Sequence, residues 1–89
     1  MNRIKVLFFA TLRDRAGTKS AELEIPAETT VERLKDLVVE AYPGLKEAME
    51  TVVISINREF AFDESIVPEN AEVAMFPPVS GGDPSLRSG

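Results

Sequence analysis

Cysteine and histidine are both absent from this 89-residue chain, and each absence closes off a class of chemistry. Without cysteine there is no disulfide framework, no thiolate metal site and no thiol nucleophile. Without histidine the commonest general base and metal ligand is missing. Positive charge is also scarce: 10 Lys and Arg stand against 15 Asp and Glu, a formal net charge of -5. That balance argues against nucleic acid, whose binding relies on cationic side chains neutralising phosphates. No apolar run approaches the roughly 20 residues of a membrane span, and the N-terminus shows no signal-peptide pattern. A cytoplasmic location, with no membrane or nucleic-acid partner, is the simplest expectation. The length allows one small domain with a single core. As a stand-alone catalyst such a chain is poorly equipped.

What is present reads as alternating short elements. Arg3–Thr11 alternates as a strand, with Ile4, Val6, Phe8 and Ala10 on one face and Lys5, Leu7, Phe9 and Thr11 on the other. The second face is partly apolar through Leu7 and Phe9. The polar segment Arg13–Lys19, with a turn offered by Gly17, leads to a second strand over Ala21–Ile25, ended by Pro26 and paired with the first as a hairpin. Thr29 and Glu32 form a capping-box pattern that predicts a helix. Its apolar stripe is Val31, Leu34, Leu37, Val38 and Ala41, and Tyr42-Pro43-Gly44 stops it. Leu45–Glu50 has room for another helical turn or two. Val52–Ile56 reads as a β-branched strand, Asn57-Arg58-Glu59 as a tight turn into Phe60-Ala61-Phe62, and Glu72–Phe76 as the last strand, with no regular structure expected beyond Pro77. The order predicts an α+β fold: a mixed sheet of four to five strands with one main helix on one face and the last strand beside the first. This is the β-grasp, or ubiquitin-like, arrangement.

The most specific feature follows that strand. Pro77-Pro78-Val79-Ser80 runs into Gly81-Gly82, a slender thread without side chains at its end. Glycine has no Cβ, so such a thread can bring its backbone close to a catalyst in another protein. The pattern points to a carrier or substrate protein whose chemistry lies at the carboxyl group of Gly82. We divide the chain into a β-grasp domain over 1–78, an extended thread over 79–82 and a disordered extra tail over 83–89.

The opening Ile4–Ala10, the helix start Thr30-Val31-Glu32-Arg33-Leu34, the stretch Ile56–Phe60 and the closing Glu72–Gly82 together resemble the small, sulfur-carrying subunit of molybdopterin synthase. The resemblance covers residues 3 to 82, and Phe-Pro-Pro-Val-Ser-Gly-Gly is its most specific part. It implies a carrier in molybdenum cofactor biosynthesis, acting in a heterotetrameric synthase. An ATP-dependent adenylyltransferase would activate Gly82, a sulfur donor protein would convert it to a thiocarboxylate, and the large synthase subunit would receive the thread, including Gly81. The sulfur would then pass to cyclic pyranopterin monophosphate. No cofactor or metal is expected on the chain itself, and ATP is used by the adenylyltransferase. Sulfur carriers of thiamine or cysteine formation, and a β-grasp interaction module without carrier function, remain as alternatives.

Strand alternation places Leu7, Phe9, Ala74 and Phe76 in one apolar patch at the base of the thread. The resemblance makes that patch, with Pro77 and Val79, the partner-binding surface, and assigns Arg13 to pairing with partner acids. One feature departs from the pattern: Asp83–Gly89 follows the glycine pair. With it attached, Gly82 is an internal amide that cannot be adenylated. Trimming by a protease, addition during recombinant production and loss of carrier function each account for it.

Overall fold

The alternation of Ile4, Val6 and Phe8 with Arg3 and Lys5 makes the first strand the spine of the molecule. In a computed structural model, which describes residues 1–78, β1 (Asn2–Phe8) buries those three apolar side chains and exposes the two cations. The thread 79–82 and the tail 83–89 lie outside the described residues. β2 (Ser20–Ile25) pairs antiparallel with β1, from Asn2 opposite Ile25 to Leu7 opposite Ser20, as the sequence predicts. β5 (Glu72–Phe76) lies parallel to β1 on its other side, from Lys5 opposite Glu72 to Phe8 opposite Met75. β3 (Val53–Ile56) runs antiparallel to β5, and the two-residue β4 (Glu59–Phe60) closes the sheet, whose order is β2-β1-β5-β3-β4.

One face of this mixed sheet is sealed by α2 (Val31–Ala41), which buries Val31, Leu34 and Val38 against it. Val73 and Met75 of β5 and Leu45, Met49 and Val67 from the connections complete the core. Each such side chain contributes roughly 1.5–3 kcal/mol when fully buried. Leu37 is half-buried at the edge of the stripe, and Ala41 is exposed at the helix end, so the stripe is shorter than the periodicity predicts.

Three local departures have physical causes. The segment expected as a polar turn contains a short helix, α1 (Thr11–Ala16), and β1 ends at Phe8 instead of Thr11. The helix exists because Leu12 is buried at 1% exposure, while Gly17 closes it in the left-handed conformation, φ 78°, donating its amide to the Arg13 carbonyl. Next, α2 is capped by Thr30 and not Thr29: the Thr30 hydroxyl accepts from the Arg33 amide at 3.2 Å. Thr29 instead turns its hydroxyl to the Pro26 carbonyl. The first amides of α2, those of Val31 and Glu32, donate to the carbonyls of Ser65 and Asp63. A tertiary loop therefore does what the capping box was expected to do. Finally, two 3₁₀ turns, Pro43–Leu45 and Ala48–Glu50, stand where one or two helical turns were expected over Leu45–Glu50, and β4 stops at Phe60.

Candidate functional site: an apolar groove at the root of the C-terminal segment

The face of the sheet turned away from α2 is where the chain departs from a plain core. Along β1 this face carries Arg3, Lys5 and Leu7, continued by Phe9; along β5 it carries Glu72, Ala74 and Phe76. Leu7 lies opposite Ala74, and Phe76 lies opposite Val53 of β3. The Phe9 and Phe76 rings stack with centroids 4.7 Å apart and planes 13° from parallel. Together with Pro77 and Pro78, these residues line a groove of about 950 Å³ that is open to solvent. A trough of that size and apolar character suits side chains of a protein partner.

Of the expected site residues, Leu7, Phe9, Ala74, Phe76 and Pro77 are thus brought together in one surface. Ala74 is the floor, with 9% exposure, and Phe9 stands at the rim with 40%. Arg13 stands exposed on α1 and does not line the groove. Val79, Gly81 and Gly82 lie outside the described residues. The groove ends where Pro77 and Pro78 carry the chain off β5.

Phe60 and Arg58, in and beside β4, also line the groove, and the sequence reading passed over both. Phe60 is 77% exposed, yet it pairs with Ser55, two residues after Val53 on β3. The signal was available in the Asn57-Arg58 turn. Both residues have positive φ, 51° and 73°, as a two-residue hairpin turn of type I′ demands. Asn57 is also clipped to β5: its amide donates to the Glu72 carbonyl, and its side-chain oxygen accepts from the Glu72 amide at 2.9 Å.

At the other rim, Ala10 holds φ 53° and ψ -128°, the first central position of a type II′ turn, which glycine normally fills. The Leu12 amide closes the turn on the Phe9 carbonyl at 3.0 Å. Holding a non-glycine residue there costs about 1–3 kcal/mol. Burial of Leu12, worth roughly 1.5–3 kcal/mol, is of the size needed to offset it. Among the described residues, no group of three acidic side chains is placed to hold a metal ion, and no helix is long and apolar enough to cross a membrane.

A five-stranded mixed sheet with one main helix, carrying an apolar groove at the root of its C-terminal segment, defines a ubiquitin-like β-grasp protein. A family model described as the ThiS family matches residues 6–82, and the chain belongs to that family. It is 38% identical over 79 residues to the molybdopterin synthase sulfur carrier subunit of Arabidopsis thaliana, covering 89% of this chain and 82% of that one. It is 35% identical over 82 residues to the protein of the same name from Chlamydomonas reinhardtii, covering 90% and 99%. Among solved structures, SAMP1 from Haloferax volcanii superimposes with a TM-score of 0.80 at 27% identity, over 91% of this chain and all of that one.

Proposed function

We propose that this chain is the sulfur-carrying subunit of a molybdopterin synthase, with Gly82 as the residue that bears the sulfur. The observation that carries the reading is the extent of the family match, which runs through the glycine pair and stops at Gly82, together with the shared name of relatives 38% and 35% identical. That name favours the synthase over the thiamine and cysteine pathways.

The chemistry follows from what a carboxylate lacks. Its delocalised negative charge makes it a poor electrophile, so sulfur cannot be added directly. An ATP-dependent adenylyltransferase joins the Gly82 carboxylate to the α-phosphorus of ATP and releases pyrophosphate. The mixed anhydride then has AMP as a good leaving group. Sulfide-level sulfur delivered by a donor protein attacks the carbonyl carbon, the C–O bond to AMP breaks, and a thiocarboxylate is left. In the large synthase subunit the thiocarboxylate sulfur attacks a carbon of cyclic pyranopterin monophosphate and displaces an oxygen substituent from it. Water then cleaves the resulting thioester, returning the Gly82 carboxylate and leaving the sulfur on the pterin. This chain supplies no acid or base to these steps and binds no cofactor. Its part is to dock through the groove, placing Leu7, Phe9, Phe76 and Phe60 against the partner, and to present the thread. Gly81 and Gly82 let the backbone come within bonding distance of the catalytic groups. Arg13, exposed on α1 outside the groove, is assigned a separate charged contact to partner acids.

Reconstitution tests the proposal. The chain ending at Gly82, incubated with adenylyltransferase, ATP and a sulfide source, is expected to gain a thiocarboxylate and to support molybdopterin formation by the large subunit. The full 89-residue chain is expected to stay unmodified until residues 83–89 are removed. Modification of the full-length chain at another site, or none in the shortened one, would refute the assignment.

A further inference from the structure

We propose that the Phe9–Ala10 corner is a brace that fixes where the chain leaves the sheet, so that Phe9 is a positioning residue acting through Phe76. The inference deepens the carrier reading and rests on it. β1 ends at Phe8, opposite Met75, so Phe76 has no partner from a continuing β1. Phe9 fills that place in another way. Its ring stacks on Phe76 at 4.7 Å, and its amide donates to the Met75 carbonyl at 3.2 Å. The other flank of Phe76 is held by Val53.

The corner itself has little freedom. Ala10 sits at φ 53° and ψ -128°, which an L residue keeps only when its surroundings impose it. The surroundings here are the turn-closing bond from Leu12 to Phe9 and the burial of Leu12 at 1% exposure. One end of the corner is anchored in the core, and the other lies on the final residue of β5. A carrier whose exit point swung freely would have to find the reacting geometry anew in each complex, and correct orientation is worth several powers of ten in rate. The brace removes that search from one side of the exit point.

A contact role and a positioning role make different demands on Phe9. Leucine keeps an apolar side chain for docking but cannot stack on Phe76; tyrosine keeps the ring. Two measurements separate the roles. In the first, on the free full-length chain, Phe9→Leu is expected to raise hydrogen exchange at the amides of residue 9 and Phe76 about tenfold, with Phe9→Tyr close to wild type. In the second, the chain ending at Gly82 is titrated with adenylyltransferase and ATP. Phe9→Leu is expected to lower the saturating rate of pyrophosphate release about tenfold while moving half-saturation less than threefold, and Phe9→Tyr to restore the rate. A raised half-saturation with an unchanged saturating rate would show a docking contact only and overturn the proposal. So would unchanged exchange in the first measurement. If the wild-type chain releases no pyrophosphate at all, the carrier reading fails, and the brace with it as a positioning device for transfer, whatever the exchange data show about local order.

Discussion

The two ends of the open sheet face are built from the same strands and could hardly differ more. At one end Arg3 faces Glu24, with a 3.3 Å ion pair between them, and Lys5 lies in register with both Glu22 and Glu72. At the other, two residues further along β1 and β5, Leu7, Ala74, Phe9 and Phe76 replace the charges. The charged end is at ease in water: its cations and anions are matched across strands, and nothing more is needed to solvate them. The apolar end carries a standing cost of about 25 cal/mol for each Å² left exposed. A fold with α2 already sealing the opposite face has no use for a second greasy surface as core. Under the proposed carrier function, its place beside the chain exit makes it the docking surface.

Substitutions at the two ends should therefore separate binding from folding. Placing a charge in the apolar end, Phe76→Arg, is expected to weaken the complex with the large synthase subunit by about 2 kcal/mol or more, roughly 30-fold. Its circular dichroism spectrum should match wild type, because Phe76 lies on the face that α2 does not seal. Titration calorimetry checks the affinity; normal binding would remove Phe76 from the interface. At the rim, Phe60→Ala should cost about 1 kcal/mol of binding, roughly fivefold, and leave the melting temperature unchanged, since the ring is already 77% exposed. At the charged end Arg3→Ala breaks an exposed surface ion pair. It should shift stability by no more than about 0.5 kcal/mol and binding by less than twofold. A larger binding loss there would erase the distinction between the ends and extend the interface over the whole face.

Much of this was legible before any coordinates. The hairpin, the main helix, the final strand and the pairing of first with last all follow from apolar periodicity, because the same burial that shapes the pattern also drives the pairing. Leu7, Phe9 and Phe76 were legible as a patch for the same reason: they are apolar where alternation demands polar. What escaped were features set by tertiary contact. α1 has a single buried side chain, Leu12, too little to produce a period. The cap on α2 came from Thr30 and from carbonyls of a loop more than 30 residues away, which no local motif encodes. Phe60 escaped because β4 is two residues long, and its place in the groove depends on left-handed backbone at Asn57 and Arg58. Of the expected site residues, Val79, Gly81 and Gly82 lie outside the described residues and rest on the sequence reading.

The measurement closest to the centre of the account is the intact mass of the protein isolated from its own cells during active molybdopterin synthesis. The account predicts a chain ending at Gly82, part of it heavier by the difference between one sulfur and one oxygen atom. A functional pool that keeps Asp83–Gly89 and carries no such shift would contradict it.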